Sequence, residues 1–271
     1  MTIMNMFSYG FMQRAAIVGF LVALCAALLG VSLVLKRYSM IGDGLSHVGF
    51  GAMALGVALG QAPLYVAIPV VIVAAFLLLR ISENSNIRGD AAIALISSSS
   101  IAVGLIVISL SGGVNIDISE WMFGTILSIT SAEVYACIAV SAVVLILYVL
   151  CYNKIFAVTF DEKFAAATGL NTKLYNTLIA LLTAMVIVVG MRMMGTLLIS
   201  SLIIFPALTA MRVFKSFRSV MICAACVSVI GVFAGLIASC AIPNLSPGAA
   251  IVVADLLLFL CFWGAGKLVR R

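Results

Sequence analysis

The sequence predicts an all-α membrane protein built from eight or nine spanning helices. Of its 271 residues, 65% are hydrophobic and 9% are charged, whereas soluble proteins carry about 25% charged residues. The mean hydropathy is +1.32. Charged residues and Gly, Pro, Asn and Ser breaks divide the chain into apolar runs of roughly the 20 residues that a spanning helix needs. Little chain remains for a soluble domain, so we expect one membrane domain over residues 1–271.

The apolar runs follow one another with short breaks. In chain order they cover residues 12–35, 42–60, 63–80, 91–110, 130–152, 173–190, 194–212, 219–240 and 247–268. The first run is longer than the apolar region of a signal peptide, so we expect it to remain as a span. If one run is re-entrant, the number of spanning helices falls from nine to eight.

Basic residues lie in alternate loops between these runs. Cytoplasmic loops of membrane proteins are enriched in Lys and Arg, so we expect the basic loops and the C-terminus in the cytoplasm and the N-terminus outside. Only Arg14 and Arg192 fall outside this set. The net charge of +6 then reflects topology, and its spread over several loops argues against a nucleic-acid partner. The basic set comprises Lys36, Arg37, Arg80, Arg88, Lys154, Lys163, Lys173, Arg212, Lys215, Arg218, Lys267, Arg270 and Arg271.

The only histidine of the chain, His47, follows Asp43 by four positions. Residues i and i+4 share one face of a helix, and an acid and an imidazole at this spacing are typical of metal ligands. Counted from Lys36 at the cytoplasmic edge, His47 lies roughly 15 Å into a hydrocarbon core of about 30 Å. Ionisable residues at that depth are costly and mark candidate functional sites. The structural alternatives are an N-cap role for Asp43 and a satisfied core histidine.

The residues after His47 favour the functional interpretation. They form a small-residue surface that allows close approach of another helix. One Asp and one His cannot complete a divalent-metal site, because zinc takes four ligands and manganese takes more. A two-fold homodimer would supply two imidazoles and two carboxylates, which suits Zn²⁺ or Mn²⁺. The small residues are Gly49, Gly51, Ala52, Ala54, Gly56, Ala58 and Gly60.

Four other polar residues are candidates for a transport path or gate. Ser46 directly precedes His47. Asp255 lies inside the last predicted span, where a structural role and a water-filled path are both open. Asp117 and Glu120 are the acids of the external connection over residues 110–121, and they could meet a cation, a partner protein or only solvent.

The longest cytoplasmic loop, over residues 154–173, has the signals of a short helix. Thr159 followed by Glu162 is a capping box, and Gly169 suits the position after the C-cap of a helix. The sequence therefore predicts a short helix outside the membrane over residues 160–170.

This loop also predicts a partner. Phe160, Phe164 and Ala167 fall at i, i+4 and i+7 and form an apolar ridge on one side of the predicted helix. Such a ridge would bind another protein or lie on the membrane surface. The chain has no nucleotide-binding loop of its own, because Lys267 in the nearest match is followed by Leu268. Energy for transport must then come from another subunit or an ion gradient.

Four segments resemble the permease subunits of bacterial ABC importers for zinc, manganese and related divalent metals. Residues 40–47 are similar to the family's G-D-x-[LA]-[SA]-H motif, and residues 161–170 to its coupling segment. Residues 121–127 are similar to its L-F-G-[DS]-[IL]-L pattern. Residues 190–210 resemble its G-x-L-L-[IV] and I-P-A-x-[TA]-A pattern. In this order and spacing the resemblance covers nearly the whole chain.

The resemblance implies a homodimeric permease in the bacterial inner membrane, without enzymatic activity. Its partners would be cytoplasmic ABC ATPase subunits and an extracytoplasmic metal-binding protein. By resemblance, Asp43 and His47 match the metal path, and Ala166, Ala167 and Gly169 match the coupling helix. The permease would bind no cofactor, since ATP binds the partner subunit and the metal is the transported substrate.

We therefore predict inward transport of a divalent transition metal, with zinc first and manganese or iron second. Some zinc members of the family carry another histidine in the fourth span, where this chain has serines at 97–100, so the metal stays open. The competing class is a secondary transporter that uses Asp43, His47 and Asp255 as a proton relay. An intramembrane enzyme is disfavoured, because Asp43 and His47 lack a third metal ligand or a nucleophile at matching spacing.

Overall fold

The computed structural model describes residues 9–84, 89–111, 124, 126, 129–242 and 245–269. All elements in these ranges are helices, so the prediction of an all-α fold is confirmed. In chain order they are α1 Gly10–Leu35, α2 Ile41–Ala58, α3 Pro63–Asn84, α4 Gly89–Leu110, α5 Ser131–Leu150, α6 Tyr152–Phe160, α7 Glu162–Ala167, α8 Thr172–Met194, α9 Thr196–Val213, α10 Phe217–Ala241 and α11 Pro247–Val269.

Seven of the described helices are long and apolar enough to cross a membrane, namely α1, α4, α5, α8, α9, α10 and α11. Helix α2 has 18 residues, but Asp43, His47 and its glycines make it less apolar. In α3 the apolar part is shorter and spans Pro63–Leu78. The predicted count of eight or nine spans is therefore not confirmed, and α2 and α3 account for the difference.

The helices differ in how deeply they lie in the bundle. In α1 and α8, 67% of the most apolar window is buried, and in α9 the share is 61%. In α4 and α11 the share is only 22%, as expected for helices at the lipid-facing periphery. Helices α1, α8 and α9 therefore form the centre, and α2 packs against α3, α4, α8 and α9.

Close backbone contacts hold α2 in this position. A Cβ atom on Gly51 would lie 2.5 Å from the carbonyl oxygen of Ser100 in α4, and one on Gly104 would lie 3.0 Å from the Cα of Gly51. On another side of α2, the Met191 side chain occupies the space that a side chain on Gly49 would need. The predicted close approach of other helices to the small-residue surface is thus confirmed within one chain.

One end of the bundle carries the two basic residues outside the predicted cytoplasmic set. Thr130 and Glu133 form a capping box at the start of α5, and Glu133 also pairs with Arg192 at 3.4 Å. The Nη1 of Arg14 donates to the Oγ of Ser131 over 3.5 Å. The two basic residues therefore meet the same helix end, in agreement with the alternating charge pattern.

Candidate metal site and coupling segment

Asp43 and His47 lie in the first two turns of α2 and face the same way. The helix begins at Ile41, after an N-cap residue, Met40, whose side chain makes no capping hydrogen bond. Oδ1 of Asp43 is 3.5 Å from Nε2 of His47. The predicted i,i+4 pairing is confirmed. Asp43 lies inside the first turn, so its interpretation as an N-cap is wrong.

The depth estimated for His47 needs a correction. That estimate treated the chain from Lys36 onward as a continuous helix, but residues 36–40 are not helical and the helix begins only at Ile41. The helical rise between Ile41 and His47 is about 9 Å, not about 15 Å. Tight turns at helix ends are set by backbone geometry that hydropathy does not reveal.

Exposure separates this pair from the rest of its helix. Between Ile41 and Ala54, all residues except Asp43 and His47 are buried. Their side chains are 35% and 18% exposed, respectively. Over this range the helix therefore presents one polar stripe that the rest of the chain leaves partly uncovered.

Ser46 connects this stripe to helix α9. Its hydroxyl donates to the carbonyl oxygen of Asp43 over 2.7 Å and lies 3.4 Å from the hydroxyl of Ser200. The hydroxyl of Ser200 in turn donates to the carbonyl oxygen of Thr196 over 2.9 Å. Ser46 is fully buried, so it positions the backbone at Asp43 and does not line an open path.

The donor set of one chain is incomplete for a divalent cation. Among the residues that the structure describes, no group of three His, Cys, Asp or Glu side chains could hold a metal ion. Asp43 and His47 therefore offer two donors, whereas zinc sites normally have four ligands. The arrangement fits half of a site.

Asp255 lies elsewhere and is sealed. Its residue exposure is 0%, and neither carboxylate oxygen has a hydrogen-bond partner among the described residues. It packs against Gly231 of α10, where its Oδ1 occupies the place that a Cβ atom would take. The structure thus does not bring Asp255 to an accessible surface. The other two path candidates, Asp117 and Glu120, lie outside the described residues.

The predicted cytoplasmic helix is divided in two. Helix α6 ends at Phe160, and α7 begins after Asp161, whose carboxylate accepts from the N–H of Phe164 over 2.9 Å. The predicted capping box is therefore wrong. Thr159 lies buried in the last turn of α6, and its hydroxyl has no partner among the described residues. Thr159 and Asp161 are both residue types that cap helices. Only Thr159 has a glutamate three positions later, so the capping-box pattern favoured the residue that does not cap the helix.

The end of α7 follows the prediction. Gly169 has a φ of +86°, a left-handed conformation that favours glycine. Its N–H donates to the carbonyl oxygen of Ala166, and the N–H of Leu170 donates to that of Ala165. These two bonds form the Schellman motif that commonly ends helices.

The apolar ridge does not lie on one helix. Phe160 belongs to α6 and its ring lies 5.9 Å from that of Phe217, whereas Phe164 and Ala167 belong to α7. Phe160 and Phe164 are nevertheless 57% and 66% exposed, and Ala166, Ala167 and Gly169 are exposed as well. Only Ala165 of α7 is buried. The segment 160–169, called the coupling segment below, therefore presents an exposed surface with two aromatic rings.

Similarity to known proteins agrees with these features. The ABC 3 transport family matches residues 8–264. A permease of Streptococcus gordonii, named manganese import system permease protein ScaB, is 29% identical over 95% of this chain and 92% of its own length. The zinc uptake membrane protein ZnuB of Haemophilus influenzae is 28% identical over 91% of this chain and 94% of its own length.

A solved structure has the same fold. It is described as PsaBC from Streptococcus pneumoniae in complex with Fab, and it superposes with a TM-score of 0.85 at 29% identity, covering 96% of this chain and 94% of that chain. Because the family match spans most of the sequence, the chain belongs to the ABC 3 transport family and is a membrane permease of the metal ABC transporter type.

Proposed function

We propose that this permease forms, with a second copy of itself, the path by which an ATP-driven importer carries a divalent transition metal into a bacterial cell. The observation that carries the proposal is the partly exposed Asp43–His47 pair on a helix whose other residues from Ile41 to Ala54 are buried. The metal is the transported substrate, and the chain acts as a single permease domain.

The dimer follows from the number of donors. One chain offers one carboxylate and one imidazole, whereas a zinc or manganese ion needs at least two further ligands. A two-fold axis beside the exposed stripe of α2 would bring the second Asp43 and His47 to the same ion. A site assembled from two chains can also open when they tilt apart, and transport requires such release.

The donor chemistry favours zinc, because two imidazoles and two carboxylates suit a tetrahedral ion. Manganese is the second candidate, and the name of the Streptococcus gordonii relative favours it. Manganese prefers more oxygen ligands, which water or backbone carbonyls would have to supply. Iron is third, because no relative described above is named for it.

The coupling segment would receive the ATPase. Its exposed Phe160 and Phe164 would fill an apolar cleft of a cytoplasmic ABC ATPase subunit, while Ala166, Ala167 and Gly169 would allow close approach. With the coupling segment on the cytoplasmic side, the N-terminus lies outside and the C-terminus lies in the cytoplasm. An extracytoplasmic metal-binding protein would deliver the ion at the end that carries Arg14 and Arg192.

Uptake by the whole complex tests this proposal. The permease and its ATPase are reconstituted in vesicles, and uptake of zinc, manganese and iron is measured alone and in competition. We expect Asp43→Ala and His47→Ala to reduce uptake to background while the complex still assembles and hydrolyses ATP. Normal uptake by both variants would refute the site, and a wild-type complex that transports none of the three metals would refute the function.

A further inference from the structure

Three side chains from three separate segments form a closed ring at the end of the bundle that holds the coupling segment. Lys36 follows α1, Glu162 is the first residue of α7, and Asn176 lies in α8. The Nζ of Lys36 donates to Oδ1 of Asn176 and lies 3.5 Å from Oε2 of Glu162. The Nδ2 of Asn176 donates to Oε1 of Glu162 over 2.8 Å. We call these residues the cytoplasmic triad.

Two of the three side chains in this ring are buried. The side chain of Lys36 is 7% exposed, and Asn176 is 4% exposed. An ammonium group removed from water needs a charged or hydrogen-bonding partner, and both are present. Glu162 is half exposed and lies on the coupling segment. The triad therefore attaches this segment to the interior by a partly buried charge pair, which water screens less than a surface pair.

Apart from the triad, the attachment of α7 is slight. Its single buried residue, Ala165, packs with Val158 of α6 and Tyr175 of α8. That apolar contact joins α7 to its sequence neighbours. The triad adds the connection to α1, which lies more than a hundred residues earlier in the chain.

The end of α1 is tied closely to the start of α2. Arg37 has a φ of 63°, and the N–H of Tyr38 donates to the carbonyl oxygen of Leu33 over 2.8 Å. The N–H of Ile41, the first residue of α2, then donates to the carbonyl oxygen of Tyr38 over 3.0 Å. This short hydrogen-bonded connection links the end of α1, beside Lys36, to the first residue of the helix that carries Asp43.

We propose that the cytoplasmic triad is the positioning device that couples the ATPase-docking segment to the Asp43–His47 helix. This inference rests on the proposed function, because it assumes an ATPase on the coupling segment and a metal at Asp43 and His47. Lys36, Glu162 and Asn176 bind neither metal nor ATP. They make the coupling segment and the start of α2 move as one body.

The ratio of metal imported to ATP hydrolysed tests the triad in the reconstituted complex. Lys36→Met and Glu162→Ala each break the ring, and we expect each to lower this ratio about tenfold while ATP hydrolysis continues. A merely structural role would lower transport and hydrolysis together. In the charge exchange K36E/E162K the amide of Asn176 can turn over and close the ring again, so we expect the ratio to recover to within about threefold of wild type.

Lys173→Met is the matched control, because Lys173 is an exposed lysine near the same end of α8 and we expect it to leave the ratio unchanged. An unchanged ratio in both single variants would overturn the proposal, as would a charge exchange no better than the worse single variant. A wild-type complex without metal uptake would instead contradict the proposed function.

A distance measurement tests the triad even if the transported substrate is not a metal. Spin labels are placed at Met40 and Lys163, both exposed, in a background without native cysteines and diluted with unlabelled chains. We expect one narrow distance distribution that nucleotide does not change. In the Glu162→Ala background we expect it to broaden or shift on nucleotide binding. An identical distribution in both backgrounds would overturn the proposal.

Discussion

Asp43 and Asp255 are both carboxylates within the helical bundle, and their surroundings are opposite. The side chain of Asp43 is 35% exposed and has an imidazole 3.5 Å away. Asp255 is fully buried, and both of its oxygens are without a hydrogen-bond partner among the described residues. The described residues therefore leave Asp43 partly uncovered, whereas they enclose Asp255 completely.

An acid in an apolar segment is therefore not by itself a sign of transport. Accessibility and a second donor distinguish a residue that can bind and release an ion. Asp255 packs against a glycine, and no described residue donates a hydrogen bond to its carboxylate. The secondary-transporter interpretation required Asp43, His47 and Asp255 in one relay, and the structure does not bring Asp255 to an accessible surface.

The same substitution at both aspartates gives the largest expected contrast. We expect Asp43→Asn to reduce metal uptake by more than about 100-fold, because even residues behind metal ligands change affinity or activity by roughly 10- to 100-fold. We expect Asp255→Asn to keep uptake within about threefold of wild type, because the amide has the same shape and no described residue pairs with the carboxylate. Uptake by reconstituted complexes measures both. A severe loss of metal uptake in Asp255→Asn would place Asp255 on the transport path and contradict the distinction between the two aspartates.

The packing of Asp255 gives the next effect. A methyl group at Gly231 would overlap Oδ1 of Asp255, so we expect Gly231→Ala to destabilise the protein by about 1–3 kcal/mol. Thermal unfolding of the purified complex measures this change. Gly264→Ala is the control, since nothing lies within 4 Å of a Cβ there. Asp255→Ala in the Gly231→Ala background should restore part of the stability, and a purely additive result would contradict the described contact.

Substitution of Ser46 has the smallest expected effect on uptake, and it tests whether the backbone at Asp43 must be held in place. We expect Ser46→Ala to lower uptake about two- to fivefold, because losing a hydrogen bond of about 0.5–1.5 kcal/mol loosens the backbone at Asp43. Ser239 makes the same type of bond, donating to the carbonyl oxygen of Leu236 over 2.9 Å, and Ser239→Ala should leave uptake unchanged. Equal effects of the two variants would show that proximity to Asp43 is irrelevant.

Local patterns in the sequence predicted much of this structure. Apolar runs predicted the helices, because each spanning segment must satisfy its own backbone in lipid. The spacing of Asp43 and His47 predicted their common face, since i and i+4 are neighbours on any helix. The left-handed Gly169 was also predicted, because the C-terminal signals of a helix are local.

Features that depend on distant segments were not predictable in the same way. The Glu133–Arg192 pair joins helices far apart in sequence, and neither segment specifies its partner. The contact of Asp255 with Gly231 joins the consecutive helices α10 and α11, and it depends on how the two helices are aligned, which no local pattern specifies. The choice of Asp161 over Thr159 as a cap depends on where α6 stops, which tertiary packing decides. The turn after Lys36 was not predicted either, because its residue with left-handed backbone geometry is Arg37. Glycine is the residue that usually signals such a turn.

The contact of Gly51 with Gly104 links the position of α2 to the thickness of the bilayer. Where two backbones touch without intervening side chains, the helices have little freedom to rotate against each other, so α2 and α4 shift together. Helix α4 is among the least buried of the spanning helices and adjusts its tilt when membrane thickness changes. A thinner or thicker membrane would therefore change the angle of α2, although most residues of α2 are buried within the bundle.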